Sequence, residues 1–299
     1  MHPPLVVIAG PTASGKSAHA LRLAETRGGT IINADASQLY ADLRILSARP
    51  TANDEARVPH RLYGVLDAAD PCSAARWAAM AQAEIDASHK EGRVPILVGG
   101  TGLYLATLID GIAPVPPIDP AIRTEVRALP SASIRAALEA EDPSMAARLR
   151  PSDPQRNARA LEVIRSTGRS LADWQRDRTD GLLDAVALET HLLLPDRAAL
   201  TARAEARFDA MLADGALDEV ARLLGRNLPA DLPAMKALGV PPLAAHLRGE
   251  ISLAQAADRA KLDTRRYIKR QFTWFATGGR AKGWLAVAIR LPDARPDGS

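Results

Sequence analysis

Apolar residues in this chain fall into two kinds of run. Residues 5–9 are continuously apolar and close on Gly10-Pro11, which predicts a short buried strand. Residues 31–34, ending at Asp35, and residues 94–98, ending at Gly99-Gly100, repeat that pattern, and residues 186–194 and 284–291 are two further strand candidates. Between them the spacing turns helical. Residues 17–27 have helical composition, and residues 74–90 carry Trp77, Met80, Ala81 and Ile85 at helical intervals. Strand and helix alternate over about the first 110 residues, the pattern of a parallel α/β unit with ligands at the carboxyl ends of its strands. Composition changes at Pro114-Val115-Pro116-Pro117, a domain edge. Residues 119–174 read as mostly helical, with Asp119-Pro120 and Asp142-Pro143 as start signals. Helices are also predicted over residues 197–213, 217–224, 234–248 and 252–274, and the Pro/Asp/Gly-rich residues 291–299 as a frayed tail.

Composition narrows the class. The 299 residues suffice for one large domain or two ordinary ones, and 47% apolar with 24% charged is globular. A single cysteine, Cys72, excludes a disulfide scaffold and reads as a small buried residue. No apolar run approaches the ~18 residues of a membrane span, and the first residues do not resemble a signal peptide, so the expectation is a cytoplasmic protein. Net charge is only +3, but it is unevenly spread. Residues 261–290 hold eight basic residues against one acid, and residues 148–178 hold eight arginines against four acids. Such concentrations suit a polyanionic partner, although solvated helix faces produce the same pattern.

The strongest local signal is Gly10-Pro11-Thr12-Ala13-Ser14-Gly15-Lys16-Ser17, which satisfies G-x-x-x-x-G-K-[ST] between a strand and a helix. Its glycines let backbone N–H groups turn toward one anion. Lys16 and the helix dipole add positive charge, and Ser17 can hold Mg²⁺. The pattern identifies a polyphosphate site without saying which bond breaks. The acid that supports Mg²⁺ in many nucleotide hydrolases is missing, because residues 94–98 run into Gly99-Gly100-Thr101-Gly102. The acid at a strand end is Asp35, followed by Ala36-Ser37-Gln38-Leu39-Tyr40, company that suits a nucleobase or sugar; taken alone, Asp35 reads equally as a helix cap.

Taken together, the blocks resemble the tRNA dimethylallyltransferase (tRNA isopentenyltransferase) family. The resemblance runs through the Gly10–Ser17 loop, Asp35-x-Ser37-Gln38-x-Tyr40, Gly99-Gly100-Thr101-Gly102-Leu103-Tyr104 and Asp119-Pro120-x-x-Arg123. It continues with Asp153-Pro154-Gln155-Arg156-x-x-Arg159-Ala160-Leu161-Glu162-Val163, then Arg203-x-x-x-Arg207-Phe208-x-x-Met211-Leu212, and ends at Thr264-Arg265-Arg266-Tyr267-x-Lys269-Arg270-Gln271-x-Thr273-Trp274-Phe275. It implies a P-loop nucleotide-kinase-like parallel-sheet core, residues 1–113 and 186–299, with an inserted, mainly helical tRNA-binding domain at residues 114–185. It also implies Mg²⁺-dependent transfer of a dimethylallyl group from dimethylallyl diphosphate to N6 of the adenosine 3′ of the anticodon. By the same resemblance, Asp35 accepts the amine proton, Thr101 bonds a diphosphate oxygen, and Lys16 and Arg207 stabilise the leaving group, whose phosphates lie on residues 10–17. The anticodon stem-loop contacts carried over are Asp35, Ala36, Ser37, Gln38, Thr101, Arg123, Gln155, Arg156, Asn157, Ala158 and Arg159. The expected state is a monomer away from membranes.

Other residues read more plainly. Trp274, Phe275, Tyr40 and Tyr104 suit a core as well as a base stack, and His60, without a visible partner, reads as structural. The chain departs from the family at Ala36, where a serine is usual, across Arg44-Ile45-Leu46-Ser47-Ala48-Arg49-Pro50, and at Gly239-Val240-Pro241-Pro242. Three competing readings are an adenylate isopentenyltransferase acting on free nucleotides, a small-molecule kinase using ATP, and a non-catalytic RNA-binding module. The two basic segments and the helical insertion favour tRNA over a free nucleotide. The missing strand-end acid disfavours the kinase, and a complete phosphate loop disfavours the binding module.

Overall fold

The computed structural model describes residues 2–178, 181–277, 284–285 and 288–291. Six strands, β1 (Pro4–Ala9), β2 (Gly29–Asn33), β3 (His60–Arg61), β4 (Val94–Gly99), β5 (Ala187–Leu193) and β6 (Ile289–Leu291), form one sheet. Their order is β3-β2-β4-β1-β5-β6 and every pair is parallel. A parallel sheet covered on both faces needs apolar residues on both, which is why its strands read as continuous rather than alternating runs. Leu5, Val7 and Ala9 of β1 belong to one buried cluster with Ile32, Trp77, Ile85 and Leu97. Val6 and Ile8 point into a second cluster with Ala20, Leu21, Ala24, Ile31 and Ile96.

Four helices belong to the first half of the core: α1 (Lys16–Arg27), α2 (Ala52–Arg57), α3 (Ala74–Lys90) and α4 (Gly102–Ile109). The helix α1 starts after Gly15 and stops at Gly28, both in the left-handed region that only glycine enters without cost. Next come α5 (Pro120–Ala128), α6 (Ser131–Glu141), α7 (Pro143–Arg148), α8 (Pro154–Thr167) and α9 (Leu171–Trp174). Three of these begin alike: Asp119, Asp142 and Asp153 each accept a backbone N–H of the first turn, and the proline that follows needs no donor there. Four more are α10 (Arg197–Ala213), α11 (Ala216–Gly225), α12 (Val240–Leu247) and α13 (Leu253–Ala276).

The chain divides into two compact units, Met1–Ile109 with Leu182–Ser299, and Asp110–Gly181. The second unit has its own core of Val126, Ile134, Leu138, Met145 and Leu161.

Two elements differ from the sequence expectation. Among the described residues of 284–291, the strand covers Ile289–Leu291, and Trp284 and Leu285 are buried, helical residues. The helix expected over residues 234–248 is broken: a 3-10 turn covers Ala234–Lys236, Gly239 takes φ 88°, and α12 then starts with two prolines in its first turn. Residues 292–299, expected to fray, lie outside the described residues.

Candidate functional site

The phosphate loop joins β1 to α1. The amides of Gly15, Lys16 and Ser17 stand at the head of α1, where backbone N–H groups have no intrahelical acceptor and are available to an anion. Two other loop amides are taken: Ser14 N–H donates to Pro11 O (3.3 Å) and Thr12 N–H to Gln271 Oε1 (2.9 Å). Ala13 sits at φ 64°, a strained value for a residue with a Cβ. Lys16 Nζ donates to Pro11 O (2.6 Å) and reaches Ser14 Oγ (3.5 Å). Burial lowers the Lys16 pKa to about 8, with Asp35 opposing that shift and Arg207 adding to it.

Asp35 follows β2 at its carboxyl end. Its N–H donates to Asn33 Oδ1 (2.8 Å), and its own Oδ1 accepts Ser37 N–H (3.0 Å), an Asx turn that fixes the carboxylate. Asn33 is itself buried and donates to Leu62 O and Asp35 O. Thr101, after β4, accepts Ala36 N–H at Oγ1 (3.1 Å), so the Asp35 and Thr101 turns are stitched together. The glycines around Thr101 are required by space: a Cβ on Gly99 would lie 2.1 Å from Ala34 O, and one on Gly102 would lie 2.4 Å from the Trp274 ring.

Lys16, Ser17, Asp35, Gln38, Arg203 and Arg207 line one cavity of ≈ 390 Å³. Arg203 and Arg207 project from successive turns of α10. Crowding by protein lowers the Arg207 pKa and the Asp35 charge partly offsets it, although the residue stays open to solvent; an arginine so placed keeps its charge. The cavity therefore opposes cations and helix-head amides to a carboxylate. Among the described residues no three His, Cys, Asp or Glu side chains converge as metal ligands. The Ser17 hydroxyl in this cavity suits a hard dication that keeps waters and takes its other oxygens from a bound diphosphate.

In the unit of residues 110–181, Arg123, Gln155, Arg156 and Arg159 are all exposed. Arg123, Arg127 and Arg159 gather round the buried carboxylate of Glu162 at 4.0, 3.0 and 3.6 Å. Three guanidinium groups against one acid leave a net positive patch. Arg156 pairs with Asp153 of its own helix turn (3.3 Å).

Several sequence assignments need correction. Asn157 is no RNA contact: its side chain is buried, its Nδ2 donates to Arg150 O and Asp153 O, and its Oδ1 accepts from Arg135. Ala158 packs against the unit's core and has no polar side-chain atom to offer. Gln38 lines the cavity, but its Nε2 is spent on Ser47 O and Ala48 O (2.9 Å each), leaving only its carbonyl oxygen for a base. Ser14 is buried, with its amide turned inward, and Pro11 has no amide to give. Cys72 is partly exposed rather than buried. Tyr104 stacks on Trp77 (4.8 Å), and Tyr40 and Phe275 are buried, so all three are core. His60 bonds Val58 O and is structural. Many cations of the two basic segments meet acids elsewhere in the chain, as in Arg165 with Glu141 and Glu125, and Lys261 with Asp209.

Tyr63, Tyr267 and Gln271 had no role in the sequence reading. Burial, with the Asp35 charge second, raises both phenols and keeps them protonated. Gln271 left a sequence signal: it is a polar residue on the buried face of α13, in phase with Ala256, Ala260, Ile268 and Phe275.

The chain is similar over most of its length to known proteins. The model of a family described as IPP transferase matches residues 38–278. The tRNA dimethylallyltransferase of Sphingopyxis alaskensis is 58% identical over 272 residues, 91% of this chain and 89% of the relative. That of Erythrobacter litoralis is 55% identical over 278 residues, 91% and 88% of the two chains. Among solved structures, a eukaryotic dimethylallyltransferase acting on tRNA superposes with TM-score 0.84 at 25% identity, covering 97% of this chain and 74% of that one. A tRNA isopentenylpyrophosphate transferase from Bacillus halodurans gives TM-score 0.66 at 30% identity, with 97% and 89% covered.

Proposed function

This chain belongs to the IPP transferase family, and we propose that it moves a dimethylallyl group from dimethylallyl diphosphate to N6 of the adenosine 3′ of the anticodon in tRNA. The observation that carries the reading is one cavity holding Lys16 and Arg207 together with Asp35. A leaving diphosphate needs the first two, and a reacting amine needs the third.

The reaction divides between them. The adenine N6 lone pair forms a bond to the allylic carbon while that carbon's bond to the diphosphate oxygen breaks, its electron pair departing with diphosphate. The amides at the head of α1, Lys16 and Arg207 take up the negative charge that grows on the departing oxygen. Thr101, whose Oγ1 accepts Ala36 N–H, would offer its hydroxyl proton to a diphosphate oxygen. The N6 proton passes to the Asp35 carboxylate, help typically worth ~10²–10⁴-fold. When bound, Mg²⁺ would be held by Ser17 and the diphosphate and would add positive charge on the leaving-group side. A stacked base cannot reach these groups, so the adenosine must be extruded, with Ser37 and the Gln38 carbonyl oxygen available to hold it. Exposed Arg123, Gln155, Arg156 and Arg159 would contact RNA phosphates.

Purified protein is given labelled dimethylallyl diphosphate with total tRNA, AMP or neither. Label in tRNA alone is expected. Label in AMP but not tRNA would replace this reading with a free-nucleotide transferase, and ATP turnover without label transfer would replace it with a kinase.

A further inference from the structure

Gln271 lies on α13, 259 residues after the loop it touches. Its side chain is buried, with both ends of the amide committed. Oε1 accepts Thr12 N–H (2.9 Å), and Nε2 donates to Gly100 O (2.9 Å). The amide can sit only one way round, because a flip would set NH₂ against an N–H and C=O against a C=O. Space is reserved for it: a Cβ on Gly100 would lie 2.3 Å from Nε2.

We propose that Gln271 is the positioning residue that fixes the phosphate loop relative to the Thr101 turn, so that diphosphate and acceptor groups are held in register. The inference rests on the transferase reading above. Thr12 follows Pro11, whose carbonyl holds Lys16, and Gly100 precedes Thr101. One side chain therefore spans the group that binds the leaving diphosphate and the group that stands beside Asp35. By taking the Thr12 amide, Gln271 also leaves the amides at the head of α1 as the ones directed at the anion. Few side chains could replace it. Glutamate lacks the donor and would set a lone pair against Gly100 O; methionine has the length but neither polar atom; lysine and arginine have no acceptor.

The test uses Gln271→Met and Gln271→Glu in the full chain. Titration with inorganic pyrophosphate and steady-state prenylation of tRNA are both measured. Losing two hydrogen bonds should raise the pyrophosphate Kd and the KM for dimethylallyl diphosphate by about 10- to 100-fold in Gln271→Met, and lower kcat. The tRNA KM should stay within about twofold. Gln271→Glu supplies the signature that general loosening would not. A protonated carboxylic acid has one donor and one acceptor, as an amide does, and burial raises its pKa. Its Kd ratio to the unsubstituted protein should shrink as pH falls from about 8 to about 5, while that of Gln271→Met stays flat. A ratio that does not close with pH overturns the positioning role, as does unchanged diphosphate KM and kcat in Gln271→Met. If the unsubstituted protein binds pyrophosphate but prenylates no tRNA, the transferase reading fails instead, and the pyrophosphate titration still decides the role of Gln271.

Discussion

Replacing Lys16 by methionine should disable the phosphate loop and, at neutral pH, make the folded protein harder to denature. Lys16 is pushed from the ordinary 10.5 to about 8, chiefly by burial. A displacement of that size is worth about 3 kcal/mol against the charged form. The folded state thus binds this proton less tightly than the unfolded chain does. Stability is lowered in full below about pH 8, and the deficit fades as pH rises to about 10.5, where the amine is neutral in both states. Methionine abolishes the deficit but forfeits the bond from Nζ to Pro11 O, a charged hydrogen bond worth about 1.5–3 kcal/mol. The variant should be the more stable by about 1 kcal/mol at pH 7. Between pH 8 and pH 9.5 that difference should move against the variant by up to about 1.4 kcal/mol per unit, so the order of stabilities reverses within the range. Urea denaturation of both proteins across that range, followed by circular dichroism, measures it. A difference that does not change with pH, or that moves toward the variant as pH rises, would refute the account of a desolvated ammonium. Affinity for dimethylallyl diphosphate should fall in the unsubstituted protein above about pH 8 and be nearly absent in the variant.

Two further outcomes follow from the site. Asp35→Asn keeps the shape of the Asx turn but cannot take a proton, so turnover should fall by ~10²–10⁴ while tRNA binding by gel shift persists; near-normal turnover would remove Asp35 from the base role. Arg156→Ala combined with Arg159→Ala should weaken tRNA binding and flatten its log–log salt dependence by about 1 to 2 units; an unchanged slope would exclude phosphate contact there.

How much could be read in advance depended on whether a residue's role was local. Strands β1, β2 and β4 were legible because a strand apolar on both faces has few other ways to exist. The aspartate-proline helix starts at Asp119 and Asp142 were legible because the capping bond spans only two or three residues. The phosphate loop was legible in its own spacing and Asp35 in its place at a strand end, whereas Arg207 came only from the family resemblance; all three line one cavity. What could not be read was direction. Asn157 stands among arginines that face solvent, yet its own place on α8 turns it into the unit's core. Gln38 could not declare that Ser47 and Ala48 would claim its amide. The break at Gly239 was hidden inside a helical pattern. Glu219 shows the same difficulty on a larger scale: its buried carboxylate accepts Arg44, Ile45 and Leu46 N–H, a partnership across more than 170 residues that no spacing announces.

The register of the sheet has a consequence for biosynthesis. The strand β1 pairs with β4 on one side and β5 on the other, and β5 begins at Ala187, after the whole of Asp110–Gly181. While the polypeptide is being made, the middle of the future sheet therefore keeps one backbone edge bare through the translation of all the intervening helices. Those helices have an apolar centre of their own and can collapse during the wait. A ribosome that stalls between residues 110 and 187 leaves an open β edge of the kind that invites pairing between nascent chains. Slower elongation through that stretch would lengthen the exposure of that edge.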